Sequence, residues 1–376
     1  MSTAAPRRIA LVDPGAYVLP YLYQLVWALA ARGDGVSVWL SSTRYNAEFL
    51  QALRALPGVV LHERAISSSV APRWRGALAY LAQLASLLRH ARRHDLVNLQ
   101  WVGAGPWWLE GLVFGGLLPA LGVPLALTVH NAVPHGFAGR QHRPTRWLAT
   151  RAARLIFASQ ASRDDFLARY GETFRTRCAL LPHGLLPLTP QAPLQPCEPL
   201  PRPEALVFWG RVQPYKGVEL FAELARSDAL RQRGLALEVH GAWATELHPL
   251  RDQLTSLGVR VVDTYLDEAA LQALMRRPVL FLLPYQRATQ SGAMYALLHH
   301  GRCFACSDSG DLGQFMRTHG LQDLLLGERS AAAVLAVLDR LAERAEPLAA
   351  AFAQAQQAMG WERLLRIHPE AYAPLR

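Results

Sequence analysis

The sequence predicts an α/β protein of two domains, each a doubly wound parallel sheet. Three observations carry this reading. Short apolar runs alternate with amphipathic helical stretches as far as residue 185, which is the rhythm of βαβ units with helices on both faces of a sheet. The alternation stops at LPLTPQAPLQPCEPLPRP, residues 186–203, where seven prolines exclude a helix or a central strand. Past residue 204 the alternation restarts. The expected plan is a first domain over 1–185, a semi-rigid linker over 186–204 and a second domain over 205–350. A helical tail follows over 351–376.

Each element has its own signal. RIALVD (8–13) is an unbroken apolar run, as a strand buried on both faces should be. A helix from Leu22 to Arg32 and GVSVWLSS (35–42) follow, then a helix from Tyr45 to Leu56 and VVLHERA (59–65). A long helix leads to LVNLQW (96–101), and another helix to LALTVHN (125–131). RLIFASQ (154–160), a helix from Ala161 and CALLPHG (178–184) close the first half. The second half reads ALVFWGR, LALEVHGAW, VRVVDTY, VLFLLPY and CFACSDSG as strands, with helices between them. A helical segment covers 331–356. In such sheets ligands are expected at the carboxyl ends of the strands.

Composition narrows the function. The chain has 376 residues, half of them hydrophobic, enough for two cores. A net charge of +10 points to an anionic partner. The cations are dispersed and no nucleic-acid module is visible, so nucleic acid is not expected. Cys178, Cys197, Cys303 and Cys306 form no disulfide or zinc framework, and a reduced, cytoplasmic setting is expected. The CxxC of Cys303 and Cys306 lies in a strand-like run, which reads as buried structure before it reads as a metal or redox pair. The start does not read as a signal peptide, since Ile9–Val12 is followed at once by Asp13-Pro14-Gly15. Residues 111–129 carry no charge and have the length of a membrane span. Pro119, Gly122 and Pro124 break the stretch, which reads better as a buried helix, a turn and a buried strand.

Two motifs suggest a phosphate site. GRVQPYKG (210–217) sets Arg211 and Lys216 five positions apart, between glycines, at a strand-to-helix turn. Backbone N–H groups, a helix start and two cations there suit a diphosphate; the plain alternative is a solvated loop. FLLPYQRATQSGAMYALLHHGR (281–302) puts Thr289, Gln290, Ser291 and Gly292 between a strand and an apolar helix. Small residues let amides approach a phosphate, although Thr289 or Ser291 would also serve as an ordinary N-cap. Separately, RWRGALAYLAQLASLLRHARRHD (73–95) is basic at both ends, with an apolar stripe through Leu78, Leu81, Leu84, Leu87 and Leu88. It reads equally as a core-packed helix and as one lying on an anionic membrane. Trp101, Trp107 and Trp108 suit interfacial anchors or the lining of an acceptor groove.

Taken together, GRVQPYKGVELF, TYLDEAALQALM, the 281–302 segment and SDSGDLGQF resemble the second half of the GT-B glycosyltransferases, family 4 in particular. LTVHNAVPHG, RLIFASQASRDDFL and LLPHG resemble the first half, and GWERLLRIHPEAY resembles the tail that returns to the first domain. The resemblance covers most of the chain. It implies two Rossmann-like domains facing a central cleft, and transfer of a sugar from a nucleotide-sugar donor to a lipid-linked or polysaccharide acceptor at the cytoplasmic membrane face. Retention of configuration is implied, with no metal and no cofactor besides the donor. By position, Arg211 and Lys216 would grip the donor diphosphate, His130 would face the donor sugar, Gly15 would admit donor or acceptor, and Ser291 and Gly292 would meet phosphate. His183 in LLPHG reads as shaping the turn into the linker. One departure stands out: Ala288 and Ala296 occupy places where many members carry glutamates. Thr289 and Gln290 can hydrogen-bond a hydroxyl in their stead. A GT-B epimerase and a non-catalytic sugar-nucleotide-binding partner are the competing readings.

Overall fold

The computed structural model describes residues 6–42, 46–66, 73–103, 105–132, 142–288 and 291–374. The chain forms two units: residues 1–184 with 360–376, and residues 185–359. In the first, seven strands run β1 (Arg8–Asp13), β2 (Gly35–Ser41), β3 (Val59–Arg64), β4 (Leu96–Leu99), β5 (Leu125–Thr128), β6 (Arg154–Phe157) and β7 (Cys178–Leu180). All pair in parallel, in the order β3-β2-β1-β4-β5-β6-β7. Ile9, Ala10 and Leu11 of β1 are wholly buried, because helices cover both faces of the sheet.

The second unit has β8 (Ala205–Trp209), β9 (Ala236–His240), β10 (Arg260–Val262), β11 (Leu280–Leu283), β12 (Phe304–Ser307) and β13 (Leu325–Leu326). Their order is β10-β9-β8-β11-β12-β13, again all parallel. The short β13 is not legible in the sequence, being two leucines paired at an edge. In both sheets the order reverses beside the first strand, leaving a switch point between β1 and β4 and another between β8 and β11.

Several helices start at a side-chain cap. Ser159, Ser227, Asp267, Ser291 and Ser330 each accept a first-turn amide. Residues 107–120 form a helix broken by a wide turn at Val113–Leu117, the chain turns at Gly122 (φ 72°), and β5 follows. Among the described residues no helix is long and apolar enough to cross a membrane.

The proline-rich segment is bonded along the second unit. The Leu188 amide donates to His300 Nε2 (3.3 Å), and the Gln195 amide to the His299 carbonyl (3.1 Å). Gln356, on the helix Ala331–Ala358, donates to the Gln195 carbonyl (2.7 Å). From Gly360 the chain belongs to the first unit again. There the helix Trp361–Ile367 packs on the helix Leu19–Ala31, and the Tyr372 hydroxyl donates to Asn98 Oδ1 (2.9 Å).

Candidate active site

The loop after β8 is built by glycines. Gly210 (φ 123°) takes the chain out of the strand, and a side chain at Gly241 would fall 2.0 Å from the Gly210 carbonyl oxygen. Gly217 (φ 69°) ends a single turn over Pro214–Lys216, and a Cβ there would lie 1.9 Å from the Pro284 carbonyl oxygen. Only glycine fits, so the loop sits tightly on the end of β11, across the switch point. The Gln286 amide donates to the Tyr215 carbonyl (2.8 Å), locking the two loops together.

Lys216 is the centre of this arrangement. Its ammonium lies 5.3 Å from the ring centre of Tyr285 and 5.9 Å from that of Phe208. Burial, and then Arg211, push its pKa down to about 8, and no carboxylate enters that balance. A half-buried cation beside a second cation, with ring faces for company, is a site short of negative charge. Arg211 itself is exposed. Tyr285 is fully buried beside Ser291, which caps the helix Gly292–His299 through the Met294 amide (3.3 Å). The strand-end loops therefore bring Arg211, Lys216 and Ser291 together at the carboxyl ends of the central strands of the second sheet, with Gly292 exposed at the helix start. Thr289 and Gln290 lie outside the described residues.

Ala288 and Ala296 have structural occupations. The Ala288 carbonyl accepts from the Asp311 amide (3.3 Å) and takes the close approach of Gly310, while Ala296 is 5% exposed inside its helix. One neighbour had no motif to announce it: the Arg329 side chain lies 3.6 Å from where a Cβ on Gly217 would be. Cys303 and Cys306 are free thiols, pushed up by burial, Cys303 to about 12.

At the first unit's switch point, Asp13 ends β1 and is 1% exposed. Burial drives its carboxyl up to about 7, although the amides of Tyr17, Ala16 and Gly15 favour the anion. The space a side chain at Gly15 would take is filled by the ring of Tyr17, 2.2 Å away. Tyr17 packs edge-on against Trp101 (5.4 Å), which stacks on His130 (4.0 Å, 11°). Tyr21 closes the other side of His130 edge-on (5.4 Å). His130 is thus clamped between two aromatic rings and 8% exposed. A shallow pocket lined by Gln100, Trp101, Thr128, His130, Asn131 and Thr145 lies at these strand ends. His183 sits behind Tyr21 (4.8 Å), its Nδ1–H donating to the Gly184 carbonyl (2.8 Å); burial pushes its pKa down to about 4, so it is neutral. Asp13 and Tyr21 were not legible as site residues, because each lies in an ordinary apolar run.

Residues 20–185 match Glycosyltransferase Family 4. That match covers the larger part of the first unit, and the chain as a whole has the GT-B fold. Among curated proteins none matches the sequence. Solved structures do match along the whole chain. Sucrose-phosphate synthase from Thermosynechococcus elongatus aligns over 97% of this chain and 98% of its own, at 17% identity and a TM-score of 0.67. The catalytic domain of starch synthase IV from Arabidopsis thaliana, bound to ADP and acarbose, aligns over 99% and 100%, at 13% identity and 0.68. The lipopolysaccharide outer core galactosyltransferase WaaB aligns over 97% and 98%, at 13% identity and 0.65. The chain therefore shares their architecture, at identities where the fold alone carries over.

Proposed function

We propose that this glycosyltransferase moves a hexose from a nucleotide-sugar donor to a lipid-linked or polysaccharide acceptor. The observation that carries the reading is Lys216, a half-buried cation held against two aromatic rings, with no carboxylate among the described residues in its balance. Breaking the anomeric C–O bond leaves negative charge on the departing diphosphate. Fixed cations already in place stabilise that charge most where solvent is partly excluded. Arg211 and Lys216 supply them, and the Ser291-capped helix start adds backbone N–H groups, with Gly292 letting the backbone come close. His130, fixed by its two rings, takes the sugar-facing role that the resemblance gives it. The reading takes the transfer to be retaining and metal-independent, as in the family the chain resembles. The reading takes the acceptor to lie at a membrane face, as the resemblance implies.

The test is turnover with a panel of nucleotide-sugars found by thermal stabilisation. Arg211→Ala and Lys216→Ala should each lower kcat/KM about 10²-fold or more while leaving the fold intact, since one lost charge contact to a transition state costs that much. A double variant that turns over like wild type would end the diphosphate assignment. Tight donor binding without any turnover would make the chain a non-catalytic partner instead.

A further inference from the structure

Among the described residues, three neighbouring helices of the first unit expose large apolar side chains. The helix Arg73–His90 buries Tyr80, Leu84 and Leu87 in the core. Yet Trp74, Leu78 and Leu81, spaced i, i+4, i+7 on a second stripe, are 58%, 56% and 46% exposed. The helix Trp107–Leu112 exposes Trp107, Trp108 and Leu112, the two indoles by 64% and 59%. The helix Arg143–Arg151 adds Trp147.

These helices pack against one another. The Tyr80 hydroxyl donates to Glu110 (3.1 Å), and Gly105 lies directly against the Tyr80 ring. The Trp147 indole lies over Gly111 and Gly115, where a Cβ would come within 3.2 and 2.8 Å of Nε1. Small residues at those two places let Trp147 lie flush beside the helix that carries Trp107 and Trp108.

The segments that carry these side chains are charged almost entirely with one sign. Segments 73–94, 105–120 and 143–151 contain eight arginines and one acidic residue, Glu110. That acid is buried, accepting from Tyr80 and from the amides of Gly103 (2.8 Å) and Gly105 (2.9 Å). The Arg75 guanidinium sits 5.5 Å over Trp74 and that of Arg151 4.7 Å over Trp147. Indoles with an apolar body and a polar edge, aliphatic side chains between them and guanidinium groups beside them match the headgroup region of a bilayer. A protein surface, of mixed charge, would complement a face of one sign less well than an extended anionic plane does.

We propose that this three-helix face docks the chain on an anionic lipid surface. The assignment names the surface that the proposed membrane-face acceptor would lie on, yet stands on the face alone. It also revises the sequence expectation for 73–95, because Leu84 and Leu87 of the expected stripe are core. The contact lies instead on Trp74, Leu78 and Leu81, with two further helices.

The experiment is co-sedimentation of the full chain with phosphatidylcholine vesicles, with and without phosphatidylglycerol. Binding should require phosphatidylglycerol, weaken with salt and shift tryptophan emission to the blue. Trp107→Ser/Trp108→Ser and Trp74→Ser/Leu78→Ser should each reduce partitioning about tenfold or more, as loss of two buried apolar side chains does. Tyr265→Ser, as exposed but on the second unit, should change nothing. Near-UV circular dichroism checks that the variants stay folded. Wild-type protein that ignores the anionic vesicles overturns the proposal, as does binding untouched by the tryptophan changes. A face that instead pairs two copies, shown by a dimer that the same variants dissociate, overturns it too. The vesicles contain neither donor nor acceptor, so failure here leaves the sugar-transfer reading standing, and failed transfer leaves docking standing.

Discussion

Lys216 and Asp13 carry their ionisation behaviour in opposite directions, both because of burial. Lys216 is pushed down to about 8 by desolvation and then by Arg211. A bound diphosphate would favour the ammonium, so binding above pH 8 should take up a proton. Affinity for a nucleoside diphosphate is expected to fall as pH rises past about 8, and Lys216→Met should remove that dependence. Calorimetry at pH 8.5 in buffers of different ionisation enthalpy measures the proton directly. Equal heats in all buffers would rule it out. Asp13 is pushed up to about 7 from 3.8. Between those values the folded state holds a proton that the unfolded state has lost, so this group makes stability fall as pH rises through the window. The slope reaches at most about 1.4 kcal/mol per pH unit. Asp13→Asn should flatten the loss of urea resistance between pH 4 and 7; an unchanged slope would show that Asp13 ionises freely.

At the scale of elements, the loops at the switch points depend on backbone fit. Gly217→Ala must move the Pro284 carbonyl and adopt a positive φ with a side chain, so it should cost about 1–3 kcal/mol and weaken nucleotide binding together. A variant as stable as wild type would show that the loop relaxes cheaply. The terminal helix is the other dependent element. Trp361 is 3% exposed, lies edge-on to Tyr21 at 5.3 Å and fills the space beside Gly184. Trp361→Ala should therefore destabilise the first unit by about 3–5 kcal/mol. Truncation at Gly360 should act the same way, as loss of core, since Tyr372 and Asn98 part with it. Chemical denaturation followed by tryptophan emission reads both.

At the scale of the whole molecule, the chain holds two cores of different continuity. The second unit is one stretch, 185–359, with the proline-rich segment bonded to its own helices. The first is split, needing 360–376 to complete it. Residues 185–359 expressed alone should fold cooperatively and keep nucleotide binding within a few-fold of the full chain, because Arg211, Lys216 and Ser291 all lie inside them. Saturating nucleotide at a hundred times its dissociation constant should stabilise the fragment by about 2.7 kcal/mol. A fragment that melts without cooperativity, or gains nothing from nucleotide, refutes this. Residues 1–184 alone should not fold stably.

The sequence by itself determined the alternation of strands and helices, the break at the prolines, and the glycine-and-cation loops where an anion can bind. These are local properties: apolar periodicity, fixed φ at proline and glycine, charge within a few residues. The resemblance to family 4 also marks Ala288 and Ala296 as places where many members carry glutamates. Only the tertiary structure decided what depends on neighbours distant in sequence. The reversal of strand order, which sets GRVQPYKG beside the 281–302 loop, comes from pairing across about 75 residues (β8 with β11). The clamp of His130 between Trp101 and Tyr21 joins two strand ends and the first helix, and the raised pKa of Asp13 comes from burial that its own segment does not encode. The helix 73–90 shows the division most clearly. Its sequence offers leucines on two stripes, and only packing against the sheet chooses which stripe is core and which is left facing outward.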